Sequence, residues 1–309
     1  MDERLRKRFS IGLCLSEDSQ KSVDFFCKYQ NWLDSVYFSL PLGKKFYSRT
    51  ELSREYDAIG ANEKLCHLIK VLKEFHIKSE VAINMYGLSE FDIEKAIDYM
   101  KSNQIFPDEI VCLDEYGAQL KSAFPTCELK YSFNNPNPPT AQFDTIVVGK
   151  EYLRDEALRH QVIDAGSNLV LLLNNGCSFN CHYPCGDSNF CGAILECNLK
   201  KYNIDEIYAV QSFFPFELKK LLDEDPYSPQ YRFKLSNRPL GIDFSARVMD
   251  SYCQLNHYTE DYLIQSCNEN YGLYCVMYEL FKRKDELNYD RIIDYKNKFG
   301  IHNNPMKHN

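Results

Sequence analysis

Short apolar runs recur through the first two-thirds of the chain, each followed by an amphipathic stretch, and this alternation restricts the fold more than any other feature. Residues 8–15 (RFSIGLCL), 34–40 (DSVYFSL), 78–85 (KSEVAINM), 108–114 (DEIVCLD), 128–133 (ELKYSF), 144–149 (DTIVVG) and 168–173 (NLVLLL) read as strands, and 206–211 (EIYAVQ) as an eighth. Strands apolar along their whole length need cover on both faces, which implies a parallel sheet under helices. Helix signals fall between them. Asn62 is positioned to cap NEKLCHLIKVLKEF, in which Leu65, Leu68, Ile69 and Leu72 share a face. SEFD at 89–92 has the form of a capping box, a further helix is expected over 118–123, and Gly166 ends RDEALRHQVIDAG.

Eight such units predict an α/β fold of the (β/α)8, TIM-barrel-like kind with a short irregular C-terminal extension; an open doubly wound sheet is the alternative. The expected organisation is a barrel over 1–240 with a cysteine-rich loop at 174–198, then a helical extension over 241–309 packed on it. No glycine-rich phosphate loop follows the first strand, where Leu15-Ser16-Glu17-Asp18 stands. The connection over 41–61 is long enough to invite a functional role.

Five of the thirteen cysteines crowd into one stretch behind the seventh strand: Cys177, Cys181, Cys185, Cys191 and Cys197. An odd cysteine count in a chain of 309 residues does not suggest a secreted disulfide scaffold. The close spacing lets several thiolates converge on one centre. Structural zinc sites prefer paired knuckles far apart in sequence, often with histidine, and His182 is the only histidine nearby. An iron–sulfur cluster suits four thiolates on a sheltered loop. A loop that binds nothing is the plain structural alternative. The C-x3-C-x3-C run is one residue too long for the C-x3-C-x2-C of a radical S-adenosylmethionine enzyme, which would also place its motif near the first strand. The other eight, Cys14, Cys27, Cys66, Cys112, Cys127, Cys253, Cys267 and Cys275, mostly lie in apolar segments and read as small buried hydrophobes.

The net charge of −8 argues against broad nucleic-acid binding. No apolar run approaches the roughly 18–20 residues of a membrane helix, and the basic start breaks at Glu17 and Asp18, so a cytoplasmic location is expected. Lys234 and Arg238 stand four apart in FKLSNR and form a candidate pair of cations for an anionic substrate such as a carboxylate. Weaker candidates are Asp114 and Glu115 at the fourth strand's end, Asn84 and Tyr86 at the third's, and His182. No GxSxG or HExxH supports a protease.

Asn175-Gly176-Cys177-x3-Cys181, placed after an apolar strand, resembles the N-x-G-C-x3-C-P segment of the peptidase U32 family. Pro215, Leu218, Phe233, Lys234, Arg238 and Tyr252 follow in an order similar to that family's next block. His182-Tyr183-Pro184 departs from the proline expected directly after the second cysteine, and no counterpart of the extra C-terminal domain of the longer RNA-modifying members is expected. The resemblance implies a barrel holding a four-cysteine [4Fe-4S] cluster, with zinc as the alternative metal. It makes Cys177 and Cys181 ligands, Cys197 a third, and Cys185 or Cys191 the fourth. It further implies oxygen-independent hydroxylation or a related redox-linked modification, of a small-molecule or macromolecular substrate, with an electron donor or partner subunit. RNA as substrate fits the acidic chain poorly. The competing expectations are a non-catalytic iron–sulfur partner subunit and, from the family name, a peptidase.

Overall fold

The computed structural model describes residues 1–46, 55–85, 87–132, 143–148, 150–174, 203–211, 213–235, 241–255 and 283–299. Eight parallel strands close into a barrel: β1 (Phe9–Gly12), β2 (Leu33–Phe38), β3 (Lys78–Ile83), β4 (Glu109–Cys112), β5 (Glu128–Tyr131), β6 (Thr145–Val148), β7 (Asn168–Leu172) and β8 (Tyr231–Leu235). Each pairs with the next, and β8 returns to β1 through Phe9–Phe233 and Ser10–Lys234. The fold is therefore the TIM barrel that the βα alternation predicts.

β1 and β3 to β7 lie within the expected segments and β2 begins one residue before its own, but the eighth strand lies elsewhere. Residues 206–211 belong to helix α7 (Ile204–Gln211), and β8 lies over twenty residues downstream in the stretch that holds Lys234. The physical signals favour this outcome. Ile204 and Ile207 bury one turn apart, Asp205 and Glu206 occupy the first turn, and Asn203 Oδ1 accepts from the Glu206 amide at 2.9 Å. In YRFKL, by contrast, Tyr231, Phe233 and Leu235 alternate with Arg232 and Lys234, which is the period of a strand.

Helices α1 (Ser19–Tyr29), α2 (Ala61–Glu74), α3 (Glu90–Ser102), α4 (Asp114–Ala123), the single turn α5 (Lys150–Leu153) and α6 (Glu156–Asp164) precede α7. α8 (Pro215–Glu224), α9 (Gly241–Gln254) and α10 (Tyr289–Phe299) follow it. The capping box at α3 forms as expected: Ser89 Oγ accepts from the Asp92 amide at 3.2 Å, and Asp92 accepts from the Ser89 amide at 2.9 Å. Asn62 does not cap α2. Gly60, at φ +79°, precedes the helix without a side-chain cap, and the Asn62 amide nitrogen donates to Asn103 Oδ1 at 3.1 Å. α4 begins at Asp114, earlier than its sequence pattern suggests. Gly166 turns the chain out of α6 at φ +88°, a conformation that favours glycine.

α9 packs against both α1 and α8, with Tyr29 Oη donating to the Ala246 carbonyl at 3.0 Å, so the barrel's outer ring is completed by residues beyond 240. Between strands and helices runs the main core, while Val111, Val147 and Val170 form a small separate cluster inside the barrel. Cys14, Cys112, Cys127 and Cys253 are buried as expected; Cys66 is half-buried and Cys27 is exposed on α1, contrary to the pattern. Burial pushes the Cys127 and Cys253 thiols up to about 12, which makes them inert packing groups. Cys267 and Cys275 lie outside the described residues. Among the described residues no helix is long and apolar enough to cross a membrane.

Replacing the cap as Ser89→Ala is expected to lower stability by about 1 kcal/mol, read as a reduced urea midpoint at unchanged slope. A midpoint equal to the parent's would show that the box contributes nothing in this barrel.

Candidate functional site: a charged barrel interior

The inner face of a TIM barrel is ordinarily filled by branched apolar side chains. Here β3, β4, β5 and β8 instead alternate outward apolar residues with inward charges. At the strand starts lie Asp34, Lys78, Glu109, Glu128 and Arg232. Arg232 Nη1 reaches Glu109 at 2.8 Å and Asp34 at 3.2 Å, while Nη2 pairs with Glu128 and donates to Thr145 Oγ1 at 2.7 Å. Lys78 Nζ pairs with Asp34 at 3.0 Å and Glu109 at 3.1 Å. One step further along the barrel, Lys130 Nζ bridges Glu109 and Glu80, the latter at 2.7 Å. Glu80 then joins Lys234 at 2.6 Å. Four cations thus meet four carboxylates.

Lys130 and Glu80 are each 1% exposed, so the middle of this chain of pairs is buried in the centre of the barrel. Burial alone would push the Glu80 carboxyl up; the ammonium groups of Lys130 and Lys234 more than offset it and hold Glu80 below the ordinary carboxylate range. Burial lowers Lys130 less than its two carboxylates raise it, so it stays charged. Glu109 is pushed up by burial and by the nearby charges of Glu80 and Asp34. Glu128 lies below its ordinary value because Arg232 outweighs its burial.

Lys234 is the uppermost cation. It pairs in register with Leu172, the last residue of β7, and its ammonium stands 3.9 Å from the centre of the Tyr37 ring. Tyr37 Oη donates to the Leu235 carbonyl at 3.0 Å, which fixes the ring. Tyr37, Ala82 and Asn84 are only partly buried, so this side of the upper barrel meets solvent. Asn84 donates to Ser132 Oγ at 3.0 Å across the mouth. β7 hands the chain to the cysteine-rich stretch at this level. The excursion closes at its neck, where the Phe213 amide donates to the Leu173 carbonyl at 3.4 Å.

Lys234 is therefore an interior, ion-paired residue of a strand and not a loop cation. Its sequence partner Arg238 lies outside the described residues, as do Cys177, Cys181, Cys185, Cys191, Cys197, Tyr86 and His182. Asp114 and Glu115 open α4 as first-turn acids. Among the described residues no group of three or more His, Cys, Asp or Glu side chains is arranged to hold a metal ion. Asp34, Lys78, Glu80, Glu109, Glu128, Lys130 and Arg232 escaped the sequence analysis. Their signal was present, because a charge within a strand of a sheet covered on its outer face, at its start or its middle, has only the barrel interior and a partner of opposite sign to turn to.

No protein-family model matches the sequence, and no curated protein matches it either. Similar solved structures include a tryptophan synthase from M. tuberculosis, 7% identical, covering 82% of this chain and 89% of that one with a TM-score of 0.42. The tryptophan synthase of the hyperthermophile Pyrococcus furiosus is 10% identical and covers 81% of this chain and 95% of its own, also at 0.42. A GH18 chitinase from Pseudoalteromonas aurantia is 8% identical, with coverages of 81% and 100% and a TM-score of 0.43. These are likenesses of fold alone.

Removing the central carboxylate as Glu80→Gln leaves two buried ammonium groups short of an anion and is expected to cost about 3–5 kcal/mol in urea unfolding. Because the folded-state value of Glu80 is depressed below the ordinary 4.5, its stabilisation is fully present above that pH and is lost as pH falls through the folded value. The gap between parent and variant therefore narrows on acidification below about pH 4.5; a gap independent of pH would contradict this account.

Proposed function

We propose that this chain is an iron–sulfur barrel protein of the peptidase U32 type, performing a redox-linked, oxygen-independent modification such as hydroxylation on a substrate bound at the C-terminal mouth. The observation that carries the reading is positional. The stretch with five thiols leaves the barrel from the C-terminal end of β7, the face on which such barrels hold their chemistry, and Lys234 stands at the same level on the neighbouring strand. The donor set is chemically suited to a cluster, since thiolates are the usual ligands of iron–sulfur centres and five within 21 positions exceed the four required.

Cys177 and Cys181, with Cys197 and one of Cys185 or Cys191, would hold a [4Fe-4S] cluster, which when bound supplies one-electron chemistry. Lys234, oriented by Glu80 and Tyr37, offers a fixed positive charge, and Arg238 adds a second for an anionic substrate. The ion-paired network beneath keeps the floor of the mouth from rearranging. The buried, inert thiols of the barrel and the exposed Cys27 are compatible with a reducing, cytoplasmic setting.

Protein purified without oxygen is expected to carry about four irons and four sulfides per chain, with visible charge-transfer absorbance, and to lose both in Cys177→Ala and Cys181→Ala. One zinc without sulfide in the parent protein would remove the redox chemistry. A full cluster that no reductant can cycle would favour an accessory subunit.

A further inference from the structure

Helix α7 is the return limb of the excursion that contains the clustered cysteines, and eight residues are too few for a helix to hold its shape alone in water. Its support comes from the far end of the chain. At the N-terminal end of α7, the Asn288 amide donates to Asp205 Oδ1 at 2.8 Å, and Asn203 Nδ2 donates to Tyr295 Oη at 2.7 Å. At its C-terminal end the Ala209 carbonyl lies in the last turn, where helix carbonyls lack intrahelical donors. Lys296 Nζ donates to that carbonyl at 2.8 Å and Arg154 Nη2 at 3.1 Å, two cations at the negative end of the helix dipole. Between these ends, Ile204 and Ile207 share the core with the fully buried Ile292 of α10.

The same lysine ties α7 to the barrel's outer ring. Lys296 is fully buried, pairs with Glu217 of α8 at 2.6 Å, and lies 4.0 Å from the centre of the Phe214 ring. Glu217 in turn pairs with Arg154 at 2.7 Å. One side chain of α10 thus reaches the end of α7 and the start of α8 at once. Long side chains of this kind lose much rotamer freedom on burial, and an ordinary surface helix would leave such a lysine in water.

We infer that α10 is a clamp: Lys296 and the Asn288–Asp205 contact fix α7 at both ends, so the C-terminal helix determines how the return limb of the cysteine-rich excursion is anchored. Lys296 acts here as a positioning residue. The consequence for a bound cluster rests on the reading under Proposed function; the clamp itself does not.

The test uses the full chain and its Lys296→Met and Lys296→Arg variants, with amide hydrogen exchange followed in α7 and in the strands. Exchange in Ile204–Gln211 is expected to accelerate at least roughly tenfold in Lys296→Met while β1–β8 stay protected, and to return toward the parent rate in Lys296→Arg. Unchanged exchange in α7 overturns the clamp, and so does a loss of protection throughout the barrel, which would make α10 an inseparable part of it. In parallel, iron released to a chelator is followed in all three proteins, and faster release in Lys296→Met alone supports the link to the cluster. If the parent binds no iron, the functional reading fails while the exchange data still decide the clamp. If iron is bound and released equally from all three, the clamp does not reach the cluster.

Discussion

The Glu80 carboxylate, held between the ammonium groups of Lys130 and Lys234, is the contact on which the barrel interior depends. Each partner is expensive to bury by itself, and together they are tolerable only with close geometry. Lys130 passes the constraint down to Glu109, and Arg232 carries it across to Asp34, Glu128 and Thr145. Five strands are joined by charge where most barrels rely on branched apolar packing, and three valines form a small apolar cluster beside them. Replacing the whole set by apolar residues of matching volume would be energetically acceptable. Deleting a single member would not.

That asymmetry bears on register. A parallel strand that slips by one residue exchanges its two faces. In an all-valine interior the exchange costs little, because both faces of each strand are apolar. Here a slip of β5 would carry Lys130 outward under the helices and turn Leu129 and Tyr131 inward, leaving Glu80 and Glu109 facing no cation from that strand. The charges therefore select one register, from the strand starts up to Lys234, which is level with the end of β7.

The fold was largely legible in the sequence, and the reason is local. The first seven strands each carry a short apolar stretch between helical patterns, interrupted by charges in β3 and β5, and SEFD places the start of α3 with a side-chain mechanism that the structure reproduces. The eighth strand was misplaced because EIYAVQ and YRFKL are both short and mixed. EIYAVQ looks apolar enough for a strand only if Asp205 is ignored, and YRFKL looks like a charged loop only if its period is ignored. The interior network was illegible as a site for a related reason. Sequence shows that Glu80, Glu109, Lys130 and Arg232 interrupt strands, but which of them meet depends on barrel closure, which brings β8 beside β1 and opposite β3 and β5. The cysteine cluster is the reverse case, plain in spacing and lying outside the described residues. Asn62 failed as a cap because Gly60 already turns the chain into α2, a choice that composition alone does not reveal.

Support for the mouth comes from two directions that differ in kind. Below, the interior charges are joined within the barrel and cannot shift without breaking several pairs at once. Beside it, α7 is short, and its ends are held by Arg154 and by a helix more than seventy residues later in sequence. The backbone between Leu173 and Phe213 thus has a rigid entry, where β7 pairs on both sides, and an exit held largely by side chains. Contacts made by side chains loosen at lower free energies than ladder hydrogen bonds in a closed sheet. Local opening of α7 therefore leaves the end of β7, and with it the position of Lys234, in place.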